Sequence, residues 1–103
     1  MYIGADYSAI DPTETAAFSM DFTNDLGSGE TINTATWTCV DITGLDTSAS
    51  SRLIGSATTT GSIVTQRVGT CLAGSIYRLT ATIVTSASQT LSLWSHVACV
   101  TPN

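Results

Sequence analysis

With 103 residues, the chain has room for one hydrophobic core and not for a second domain. Charged residues make up only 11% and Lys is absent, so a P-loop is excluded, and Ser plus Thr fill 32 positions, so polarity comes from hydroxyls rather than ions. The net charge of -5 places all eight acidic residues between Asp6 and Asp46 and the three arginines, Arg52, Arg67 and Arg78, after them; nucleic acid would be repelled by the first half and weakly held by the second.

The opening "MYIGADYSAI" has neither a basic leader nor an apolar run, and no stretch reaches the length of a membrane span, so no secretory signal and no membrane partner are expected. Residues 1–14 carry Gly4 and Pro12 and show no period. They read as an extended N-terminal arm, or a first edge strand, ahead of a domain over 15–103. Tyr2, Ile3, Tyr7 and Ile10 then have no core of their own and are expected to order against a neighbouring protein, by adding a strand to an exposed edge; a frayed terminus is the simpler alternative.

From Thr15 the pattern changes to strict alternation, with Ala16, Phe18, Met20 and Phe22 on one face. "NDLGSGE" closes that strand, and "TINTATWTCV" opens the next, with Trp37 and Cys39 on its core side. The loop "DITGLDTSASS" is polar and long enough to serve as a contact surface, with Asp46 as the candidate contact. Arg52 to Ala57 reads as a short strand broken at "TTTG". In 62–68, Val64, Gln66 and Val68 oppose Ile63, Thr65 and Arg67 without a clear buried face.

The clearest pattern comes last. Tyr77, Leu79, Ala81 and Ile83 alternate with Arg78, Thr80 and Thr82, "TSASQ" closes a hairpin, and Leu91, Leu93, Ser95, Val97 and Cys99 oppose Ser92, Trp94, His96 and Ala98. Six or so strands without helical periodicity predict an antiparallel β-sandwich, with a small barrel as the alternative. In "LAGSIYRL", Gly74 and then Tyr77 at a strand start resemble the tyrosine corner of immunoglobulin-like sandwiches of about seven strands, with Trp37 as the core ring. Tyr77 and Trp37 are thus expected to be structural.

Little chemistry is on offer. His96 is the only histidine, so a catalytic triad or a His-rich metal site is excluded by counting, and beside Trp94 it reads as a solvated or interface residue. Carboxylate pairs Asp21/Asp25 and Asp41/Asp46 lack the surroundings of a glycosidase and the spacing of a calcium loop, and read as turn acids. Cys39, Cys71 and Cys99 are odd in number and not at metal-ligand spacing; reduced core thiols are expected. Neither enzyme activity nor a cofactor or metal is predicted.

Two stretches, "DPTETAAFSMDFTNDLGSGETINTATWT" and "LAGSIYRLTATIVTSASQTLSLWSHV", resemble a family of small proteins of tailed bacteriophages, the fiber-tail adaptor proteins. The likeness is carried by Asp11, Pro12 and Glu14, by Gly29, Glu30, Thr31 and Ile32 ahead of Thr36 and Trp37, and by Ala73, Gly74, Tyr77, Arg78, Thr85 and Ser86. It implies an immunoglobulin-like virion protein made in the host cytoplasm, repeated in a ring or array at the tail or neck and bridging the tail or connector to the fibers. Partner contacts are then assigned to Tyr2, Ile3, Tyr7, Ile10, Asp46, Trp94 and His96. A capsid decoration protein would share the inert sandwich, and a carbohydrate-binding domain would need the aromatic patch around Trp94.

Overall fold

The computed structural model describes residues 1–101, so the last two positions of the expected domain, Pro102 and Asn103, lie outside the described residues. Six strands follow in order: β1 (Thr15–Asp21), β2 (Ile32–Asp41), β3 (Leu53–Thr60), β4 (Ile63–Gly69), β5 (Ile76–Thr85) and β6 (Thr90–Ala98), with a 3-10 turn at Ala49–Arg52 before β3. They form two three-stranded antiparallel sheets, β1-β4-β3 and β2-β5-β6. Two separate sheets rule out the barrel. Their order is that of the B-E-D and C-F-G strands of an immunoglobulin-like sandwich.

Alternation explains the core. Phe18 and Met20 of β1 and Val64 and Val68 of β4 meet Trp37 and Cys39 of β2, Tyr77, Leu79, Ala81 and Ile83 of β5, and Leu93 and Val97 of β6. Each set has period two, so each strand buries one face and leaves Thr, Ser and isolated apolar side chains outside.

The segment before β1 departs from expectation, because it does not stand away as an extended arm. It lies along the free edge of β6, in parallel, through bonds from Ile3 N to Trp94 O, Tyr7 N to His96 O, Ile10 N to Ala98 O and Val100 N to Ile10 O, all 2.8–3.0 Å. Ile10 is buried in the core, and Tyr7 packs on Phe18 at 4.7 Å between ring centroids while its hydroxyl donates to Ser19 O of β1. The segment thus spans from one sheet to the other. No period betrayed this, since the attachment is mostly backbone and only positions 7 and 10 turn inward.

The cysteines also differ from expectation: Cys71 and Cys99 form a disulfide, and Cys39 alone is free and buried. Backbone pairing brings the two together, with Cys99 N donating to Ser75 O and Gly74 N to Cys99 O, so the chain entering β5 runs beside the end of β6. Gly74, at φ +91°, makes that approach possible.

β3 runs on to Thr60, beyond the predicted break, because a bulge between Ile54 and Thr58 absorbs the irregularity at Gly55, where φ is +70°. The buried Gln66 amide donates to the carbonyls of Ile54, Gly55 and Arg67, satisfying oxygens that the bulge takes out of the ladder. This settles the face of β4: Val64, Gln66 and Val68 point inward.

Candidate docking face

Two clusters gather most of the residues singled out in the sequence, and they do different work. The first is internal. After β2, Asp41 Oδ1 accepts from Thr43 N at 2.8 Å and its Oδ2 accepts from Asp46 N at 2.6 Å, curling the loop so that Asp46 enters the interior. There Asp46 receives Arg52 through two bonds, Nε at 2.8 Å and a terminal guanidinium nitrogen at 3.1 Å, together with Ser48 N and the Tyr77 hydroxyl at 2.6 Å. The same hydroxyl accepts from Leu72 N at 2.8 Å, which ties β5 to the connection that precedes it.

Charge follows from these partners. The Arg52 guanidinium, assisted by the Tyr77 hydroxyl and Ser48 N–H, outweighs burial and holds the Asp46 carboxyl well below the usual range. Burial also pushes Asp41 up, but the donors of Thr43 and Asp46 overcome it and bring its carboxyl down to about 2. Burial, reinforced by the bond to Asp46, raises Tyr77. Asp46 is therefore part of a satisfied interior network and offers no oxygen to a partner.

The second cluster is on the outer surface of the β2-β5-β6 sheet. Register sets its rows: Val40, Arg78 and His96 lie side by side across the three strands, and the next row holds Thr38, Thr80 and Trp94, with Tyr2 of the N-terminal segment bridging to Trp94. Tyr2 and Trp94 stand 4.9 Å apart and Trp94 and His96 5.3 Å apart, measured between ring centroids. From the β5 side the Arg78 guanidinium lies 5.3 Å from the Trp94 ring centroid. Asp6 closes the outer rim, accepting from the Tyr2 hydroxyl at 2.8 Å with His96 Nδ1 3.5 Å away.

Of the residues proposed from sequence, Tyr2, Trp94 and His96 come together on this face with Ile3 exposed nearby, whereas Tyr7, Ile10 and Asp46 turn inward, as do Tyr77 and Trp37. Arg78 stood out in the sequence only as part of the family-like motif and Asp6 not at all, and neither was marked as a contact. A lone charge in an alternating run looks like an ordinary exposed position, and only the cross-strand register shows what stands beside it. The described residues enclose no pocket and no group of three or more metal-ligating side chains. This surface offers contact area and fixed side chains.

Comparison with known families matches the chain to the family described as podophage GP4 fiber-tail adaptor protein gp77, over residues 11–93. The chain belongs to this family. No curated protein and no solved structure gives a match. The matched span of the adaptor family runs from the turn before β1 into β6 and takes in Arg78, while Tyr2, Asp6, Trp94 and His96 lie outside it. Membership brings the role of a phage tail-fiber adaptor, a structural part of the virion tail.

Proposed function

We propose that this adaptor joins the tail or neck connector to the fibers by protein-protein contacts alone, repeated in a ring or array, without catalysis and without binding nucleic acid or membrane. The observation that carries the reading is the family match across residues 11–93. The surface supports it: hydroxyl-rich sheet faces, exposed aliphatics such as Val40, Ile42 and Ile76, and a braced aromatic cluster suit docking, where area and shape matter more than reactive groups. Tyr2, Ile3, Trp94 and His96 are the partner contacts in this reading.

Imaging of the assembled virion tests it. Density for this sandwich in a ring at the tail or neck, touching fiber bases, is the expected outcome. The same density spread over the capsid lattice would instead identify a decoration protein.

A further inference from the structure

The outward positions of β2, β5 and β6 are hydroxyl, aliphatic or aromatic, except for Asn33, Arg78 and His96, and none is a carboxylate. This leaves Arg78 exposed without an acidic partner on the sheet. Among the described residues, Arg52 pairs with Asp46, and Asp6 stands 3.5 Å from His96 Nδ1 rather than at Arg78. Arg78 lies against the Trp94 ring, with Val40 and His96 as its cross-strand neighbours and the exposed Ile76 two positions earlier on the same face.

A guanidinium held against an aromatic ring has lost much of its rotamer freedom before any partner arrives, and it presents a planar fork that fits a carboxylate. Apolar neighbours that exclude water on docking strengthen that bond. Arg and Trp at the centre of such a patch are the residue types that dominate binding energy in protein interfaces. We infer that this face docks onto a protein surface presenting a carboxylate to Arg78, with Val40, Ile76 and Trp94 closing around the pair. The inference rests on the adaptor reading and names the face and the partner chemistry within it. A glycan is disfavoured because Tyr2 and Arg78 both stand against the Trp94 ring, which leaves less of it for a sugar to stack on. Phosphate is disfavoured because a single arginine on this face cannot offset the acids elsewhere.

The test replaces the protein in particles with Arg78→Glu and, as a control of equal charge, Arg67→Glu, whose arginine is exposed on the outer surface of the opposite sheet beside Ala17 and Ile54. Copies per purified particle are measured by quantitative mass spectrometry, and each purified variant is melted to confirm folding. Arg78→Glu should lower incorporation by at least about tenfold while Arg67→Glu leaves it unchanged. If Arg78→Glu melts early, Arg78→Gln, which keeps much of the side chain without the charge, should show a comparable loss. Normal incorporation of the Arg78 variants, or equal loss in both positions, would overturn the inference. Wild-type protein missing from the tail would instead overturn the adaptor reading, so the two failures are told apart.

Discussion

The Tyr77 hydroxyl holds the Leu72 N–H and the Asp46 carboxylate, of which the carboxylate is also held by Arg52 and Ser48 N. Tyr77→Phe keeps the ring in the core, takes the acceptor from Leu72 N–H and removes one donor from Asp46, so it should cost about 1–3 kcal/mol and lower the melting temperature by about 5–15 °C. A thermal melt followed by circular dichroism checks this; an unchanged midpoint would mean the corner contributes nothing. Acid should reach the same network. Asp46 and Asp41 are both more acidic folded than their ordinary value of 3.8, so the stability they add is complete above that value and is lost as pH falls through the folded values, about 2 for Asp41. Melting temperature should stay level from neutrality to about pH 5 and drop below about pH 4, with a shallower drop in Asp46→Asn. Residues such as these were only half visible in the sequence. Tyr77 after Gly74 is a local signature, but Asp46 reaches it across 31 positions, and nothing local marks which loop acid turns inward.

Among the elements, the strands with one face of large apolar side chains were legible because burial imposes period two on them: β1, β5 and β6 follow their predicted alternation, and β2 does from Ala35 on, a register shift between Ile32 and Thr34 setting Ile32 against the core and leaving Asn33 exposed. β3 and β4 were not, since a bulge shifts register and the group that repairs it, Gln66, is polar and reads as exposed. The N-terminal segment was misread for a related reason. Its attachment is by main-chain bonds, which leave no composition behind. Removing residues 2–10 should therefore destabilise the domain, since it uncovers the β6 edge and the Phe18 ring that Tyr7 packs against; a truncated protein with an unchanged urea midpoint would contradict this. The disulfide closes a loop of 28 positions, so Cys71→Ser should cost about 3–4 kcal/mol, read as a urea midpoint that becomes insensitive to reductant. Cys39, whose thiol burial pushes up to about 12, should stay unmodified by thiol reagents in either protein while folded.

At the scale of the whole molecule, the charge asymmetry along the chain becomes a division of the surface. Asp11, Asp21 and Asp41 each accept from the backbone N–H of a Thr two positions on, fixing them at turns. The acid-free second half supplies β4, β5 and β6, and β2 adds no carboxylate before Asp41. A face without acids was thus latent in the order of the residues, but that Arg78 sits against Trp94 within it depended on strand pairing. The zippering of residues 1–10 against 92–100 has a further consequence during synthesis. Ile10 is made well before the strand that receives it, and Cys71 before its partner Cys99. A chain that terminates prematurely, before β6, cannot close its core, and it leaves the β5 edge open to proteases and aggregation.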